Sequence, residues 1–170
     1  RKPAGQSDDD CAAAAIDYLE DQILVHLVSP DEVAAVVVEP IQGEGGYVIP
    51  PVSFFQRLRA LTKKHGILLI CDEVMAGFGR TGKLYAFEHG DIVPDIVTLA
   101  KGLTSSYVPL GAMGVSDEIA EFFRKNVFWG GLTYNSHPFA LATAEAVLTV
   151  MLEEKMIENA ARLEKVMRRE

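Results

Sequence analysis

The sequence predicts an α/β domain of three layers, a mostly parallel sheet with flanking helices, and three observations carry that reading. Residues 33–38, 67–71 and 96–100 are short apolar runs rich in Val, Ile and Leu, the composition of strands covered on both faces. Stretches with helical spacing of apolar residues alternate with them, as crossover-connected parallel strands require. Each run also ends in charge: Glu39, then Asp72 with Glu73, then Lys101. Open parallel sheets bind ligands outside the carboxyl ends of their strands, so Glu39, Asp72 and Lys101 fall at one edge by topology alone.

Taken in order, the chain first shows a helix from Asp8 to about His26. Ile16, Leu19, Ile23 and Leu27 lie at helical spacing, and Asp8, Asp9 and Asp10 complement the helix dipole. Three adjacent acids do not face one point, so they read as a helix start and not as a cation site. The run 33–38 reads as a central strand. Gln42-Gly43-Glu44-Gly45-Gly46 forms a loop closed by Pro50-Pro51. Ser53 then reads as the cap of a helix with Phe54, Leu58 and Leu61 on one face and Lys63, Lys64 and His65 in its last turn before Gly66. That position explains His65 better than catalysis does. The glycine-rich loop 75–83 must turn tightly after the second strand. A fourth strand is expected at 110–115, and Ser116 starts a short helix carrying Ile119, Phe122 and Phe123. Ser136 and Pro138 open a final helix that runs on to the end. Its first half is apolar all round and reads as buried; its second half narrows to Met156, Ala160, Leu163 and Met167.

Composition bounds the partners. The 170 residues are 49% hydrophobic and 24% charged, an ordinary globular balance with room for one real core. A net charge of −8 offers no basic excess for nucleic acid, and the clustered Arg162, Lys165, Arg168 and Arg169 are interleaved with Glu164 and Glu170 as on a solvated helix face. Cys11 and Cys71 form neither a disulfide framework nor a metal-binding pair, and no metal is expected. No apolar run approaches the ~18 residues that cross a bilayer, so no membrane partner is expected and a reducing cytoplasm is the expected compartment. The chain opens on Arg1-Lys2-Pro3 and stops within a helical pattern, and it reads as an internal segment of a longer protein.

Three readings compete for the charges at the strand ends. Any one of them alone is most simply a polar residue where a strand emerges into water. Nucleotide hydrolysis is suggested by Leu68-Leu69-Ile70-Cys71-Asp72-Glu73 and by Gly77 to Lys83, which spells G-x-x-x-x-G-K. A phosphate-binding loop, however, needs a hydroxyl where Leu84 stands, and the order of the two motifs is reversed. The third reading pairs Lys101 with Asp72. A lysine amine forms a Schiff base with an aldehyde cofactor, and an acid keeps a pyridine nitrogen protonated. At about 4 Å and an effective dielectric of ~20 that ion pair is worth ~4 kcal/mol, enough to raise the ring nitrogen's pKa substantially. A lysine released from the cofactor can then carry the substrate's Cα proton.

The ordered series Val38-Glu39-Pro40-Ile41-Gln42-Gly43-Glu44-Gly45-Gly46, Cys71-Asp72-Glu73-Val74 with Gly77-Phe78-Gly79-Arg80-Thr81-Gly82, Leu99-Ala100-Lys101-Gly102, and Thr133-Tyr134-Asn135-Ser136-His137-Pro138 closely resembles the class III aminotransferases. These are fold-type I, pyridoxal phosphate-dependent enzymes that include ω-amino acid and taurine:pyruvate transaminases. The resemblance implies Lys101 as the Schiff-base lysine and Asp72 as partner of the pyridine nitrogen. It implies Val74 against one ring face and Glu39 near the polar edge of the cofactor. Glu44 resembles the acid that pairs with a switchable substrate arginine, and Thr133 would bind the cofactor phosphate in a partner subunit's site, making a homodimer part of the active site.

Three positions depart from the family pattern. Met75 stands where several relatives carry a glutamine, Gly131-Leu132 precedes the motif threonine, and Ser105-Ser106 replaces a common Ser-Gly pair. The upstream phosphate-binding turn, the ring-stacking aromatic and the downstream substrate arginine have no counterpart in this sequence. Residues 1–152 accordingly read as the central part of the cofactor-binding large domain, and 153–170 as the start of a helical connection toward a small C-terminal domain. The expected reaction is transfer of an amino group from an amine or amino acid to a keto acid such as pyruvate. The alternatives are another pyridoxal phosphate reaction, such as an aminomutase or a decarboxylase, or a non-catalytic segment with an incomplete site. The segment by itself is expected to bind the cofactor poorly and to be inactive.

Overall fold

The structure, a computed structural model, describes residues 5–169. Four strands, β1 (Ala35–Val38), β2 (Leu68–Asp72), β3 (Ile96–Leu99) and β4 (Ala112–Val115), form one sheet in the order β1-β2-β3-β4. The first three run parallel and β4 lies antiparallel to β3, so the sheet is mostly parallel with helices flanking it, as the sequence predicts.

The core forms where helical stripes meet the buried face of β2. Helix α1 (Asp8–Tyr18) opens with a capping box, Ser7 Oγ accepting from the Asp10 N–H while the Asp10 carboxylate accepts from the Ser7 N–H. It continues as a wider π-wound stretch over Leu19–Leu27, so the single helix expected from Asp8 to His26 has two windings. Ile16 and Leu24 from this arm and Phe55, Leu58 and Leu61 of α2 (Val52–His65) pack on Ile67, Leu69, Cys71 and Ile92. Burying one such side chain contributes roughly 1.5–3 kcal/mol, so this layer sets the position of β2.

Helix α2 ends as expected at Gly66, which takes the left-handed conformation with φ 67°. A Cβ there meets nothing within 4 Å, so the whole penalty for alanine is backbone strain. Gly66→Ala is therefore expected to lower stability by about 1 kcal/mol, read as a shift in the urea midpoint with unchanged slope.

Four expectations need correction. The run 33–38, expected as a central strand, forms the sheet edge among the described residues, where Val37 is 65% exposed. Ser53 does not cap α2, whose cap position is Pro51; its hydroxyl donates to Asp9 Oδ1 at 2.5 Å instead, tying α2 to α1. The final helix is broken into α4 (Pro138–Glu153) and α5 (Met156–Met167) by Lys155 at φ 52°. The first half is not buried all round either, since only Ala140, Ala144 and Met151 of α4 are buried. Ser116 does cap α3 (Asp117–Lys125), accepting from the Ile119 N–H.

Candidate active site

The parallel ladders bring the three strand ends level. Val38 lies opposite Cys71, and Asp72 opposite Thr98, with neighbouring strands ~4.8 Å apart. Glu39, Asp72 and the segment leading to Lys101 thus share the carboxyl edge of the sheet, as the topology requires. Lys101 is the first residue of a tight 3-10 turn, Lys101–Thr104, which follows extended Ala100.

Each of the three is held differently. Asp72 Oδ1 accepts from the Val74 N–H at 2.9 Å, an Asx-type bond that fixes the carboxylate over the following turn. Its Oδ2 has no hydrogen-bond partner among the described residues. Lys101 is exposed at φ 44°, and its Nζ makes no hydrogen bond or ion pair among the described residues. Glu39 Oε2 accepts from the Gly43 N–H at 2.8 Å, so Glu39 directly holds the 42–46 loop. A Cβ on Gly43 would run into Met75 Sδ, and this close approach seats the loop against the turn after β2.

Of the other sequence candidates, only Val74 bonds to this edge, through its N–H to Asp72. Val74 is half-buried at the start of the 74–83 turn. Glu44 is exposed at the tip of the 42–46 loop. Thr133 is exposed in the turn that leads into α4 and makes no hydrogen bond with Asp72 or Lys101 among the described residues.

Sequence reasoning missed Glu73. It is 0% exposed, its Oε1 accepts from the Phe87 N–H at 2.7 Å, and its buried Oε2 has no partner. Burial pushes its carboxyl above the usual range, and the backbone donors at Ala86 and Phe87 only partly oppose that. The signal was present in the strand period: Leu69, Cys71 and Glu73 alternate onto the buried face, while Asp72 turns the other way. On that face burial also pushes the Cys71 thiol up to about 12, the behaviour of an unreactive core residue.

An aldehyde cofactor with a basic ring nitrogen needs an unengaged amine and an unengaged carboxylate oxygen at one edge. Lys101 Nζ and Asp72 Oδ2 meet that requirement, with Asp72 already oriented by its backbone bond. The residues present therefore fit pyridoxal phosphate. Among the described residues no cluster of His, Cys, Asp and Glu could hold a metal ion, and no helix is long and apolar enough to cross a membrane.

Comparison with known proteins agrees with this geometry. The family model for Aminotransferase class-III matches residues 2–170. The chain is 42% identical over 154 residues to putrescine–pyruvate aminotransferase of Pseudomonas aeruginosa, covering 90% of the chain and 33% of that protein. It is 41% identical over 152 residues to alanine/serine racemase of Pyrococcus horikoshii, covering 89% of the chain and 31% of that protein. Among solved structures, taurine:2-oxoglutarate aminotransferase from Bifidobacterium kashiwanohense, in complex with PLP and glutamate, superposes with a TM-score of 0.91 at 41% identity, covering 96% of the chain and 36% of that structure. The chain thus spans about a third of the length of the curated relatives it matches. With three of the motif segments reaching one sheet edge and the family model matching nearly end to end, the chain belongs to the class-III aminotransferase family.

Proposed function

We propose that the protein containing this chain is a pyridoxal phosphate-dependent aminotransferase. It moves an amino group from an amine or amino acid to a keto acid such as pyruvate. The observation that carries this reading is the pair at the ends of adjacent parallel strands: Asp72 with one oxygen free and Lys101 with its amine free. When bound, pyridoxal phosphate supplies an aldehyde carbon and a ring that takes up the electron pair left behind by the Cα proton.

The residues of this chain then have distinct tasks. Asp72 Oδ2 holds the proton on the pyridine nitrogen, while the Val74 N–H keeps its carboxylate from turning away. Lys101 Nζ would hold the cofactor covalently and, when its amine is free, would move the proton at Cα. Val74 packs against a ring face. Glu39 fixes the loop that presents Glu44, which pairs with a substrate-binding arginine from elsewhere in the protein. Thr133 binds the cofactor phosphate across a homodimer. What supports a shared site is the exposed apolar stretch around it: Val127, Phe128, Trp129 at 93% exposure, Leu132 and Tyr134. Residues 1–152 belong to the cofactor domain and 153–170 begin the connection to a further domain; the helix break at Glu154-Lys155 supports that boundary. Free Cys11 and Cys71 are compatible with a cytoplasmic protein.

The test is reductive trapping. The Lys101 amine and the aldehyde carbon join with loss of one water, and hydride from borohydride with a solvent proton converts the C=N bond to a stable secondary amine. Peptide mapping of the full-length protein is expected to find the label on Lys101; a label elsewhere, or none, overturns the assignment. A second reading, another pyridoxal phosphate reaction on the same pair, is favoured by the relative named as a racemase. Product analysis separates the two, because amino transfer consumes a keto acid and isomerisation does not.

A further inference from the structure

Lys101 occupies the left-handed region at φ 44°, where a side chain costs about 1–2 kcal/mol, and Ser105 and Ser106 just after its turn do so at φ 50° and 65°. What lies against the turn is Phe78. An added Cβ on Gly102 would stand 2.9 Å from Phe78 Cβ and 3.0 Å from its Cδ2, so the side chain presses on the backbone next to Lys101. Phe78 is itself left-handed at φ 57°. A left-handed Phe78 thus lies against the residue that follows a left-handed Lys101, and glycine at 102 is what allows that approach.

Phe78 is not free to move aside. Its ring meets Tyr85 edge-on at 6.1 Å, and Tyr85 stacks on Phe87 at 5.5 Å with 15° between the planes. The Phe87 N–H is bonded to the buried Glu73 carboxylate, the residue directly after Asp72. A closed circuit results: Asp72 and Glu73 at the end of β2, then Phe87, Tyr85 and Phe78, then Gly102 and Lys101 after β3.

We propose that Phe78 is a positioning residue, clamping the Lys101-Gly102 turn so that the lysine amine is delivered to the edge that carries Asp72. Glu73 is the buried anchor of the clamp. The inference rests on Lys101 being the cofactor lysine, and the test separates the two. A first experiment needs no cofactor. Gly102→Ala is expected to lower the thermal midpoint by collision with Phe78, and Phe78→Gly in the same protein, which removes the colliding Cβ together with the ring, is expected to recover part of that loss. Strictly additive losses would overturn the clamp. If Phe78→Gly does not fold, Phe78→Ala, which still removes Cγ and Cδ2, takes its place in the cycle.

The second experiment uses the full-length protein loaded with pyridoxal phosphate. Phe78→Ala is expected to retain non-covalent cofactor binding by gel filtration while the rate of borohydride trapping on Lys101 falls on the order of 10-fold or more. Phe78→Tyr, which keeps the ring, is expected to trap at close to the parent rate. An unchanged trapping rate in Phe78→Ala, or an equal loss in Phe78→Tyr, overturns the proposal. Absence of label on Lys101 in the parent protein instead overturns the cofactor reading, and the thermal cycle still decides whether Phe78 holds the turn.

Discussion

Lys101→Ala is expected to lower amino transfer by the full-length protein on the order of 10³-fold or more, with little change in folding stability. Two separate losses stand behind the size of the effect. On the proposed reading, the variant loses both the amine that would anchor the cofactor and the group that would carry the proton at the substrate's Cα. Asp72 keeps its oriented carboxylate, so cofactor binding weakens less than catalysis does. Folding is spared because the Lys101 side chain is exposed and makes no bond among the described residues, the setting in which substitutions change stability by about 0.5 kcal/mol or less. Steady-state rates beside a urea midpoint check both halves. A variant retaining a tenth of parental activity would show that another residue does the chemistry.

The sheet edge that carries Glu39, Asp72 and Lys101 was legible because it follows from a local code. Runs of Val, Ile and Leu announce buried parallel strands, and the topology then places whatever ends them at one edge. Contacts between distant segments were not legible in this way. Ser53 stands where a cap is expected, yet its hydroxyl is engaged by Asp9, 44 residues away. No Gly or Pro marks the break at Lys155. The chain turns there so that Ile157 and Ala161 can lie against Gly79 and Gly82, where an added Cβ would come within 3.0 Å of each. Glu73 was hidden by its neighbour: a charged pair at a strand end reads as one feature, whereas the two-residue period sends its members to opposite faces. Phe78 was an unremarked letter in a glycine-rich motif until its contact with Gly102 gave it a task.

Asp95→Ala is expected to destabilise the fold by roughly 2–3 kcal/mol, below the ~3–5 kcal/mol of a fully buried ion pair left half-made because this one is only partly buried. Asp95 accepts two bonds of 2.6 Å from the Arg59 guanidinium and a third of 2.7 Å from the Leu69 N–H, with both side chains less than a fifth exposed. Its own backbone N–H donates to Leu69 O and its carbonyl accepts from the Ser116 N–H, so this residue joins α2, β2 and the end of β4. Alanine would strand the guanidinium, whose Nε is already buried without a partner. Burial works against the Asp95 carboxylate, but the Arg59 and Leu69 bonds outweigh it and hold its pKa below the usual 3.8. A depressed folded pKa means the unfolded chain binds the proton first, so this stabilisation is present above about pH 4 and lost as pH falls through the folded value. Glu73 acts in the opposite sense: burial raises its pKa, and its contribution declines as pH rises above the usual 4.5. Urea midpoints measured from pH 2.5 to 7 are therefore expected to show an acid limb in the parent protein that is shallower in Asp95→Ala. Parallel limbs in the two proteins would mean that the Arg59–Asp95 pair is not what acid breaks.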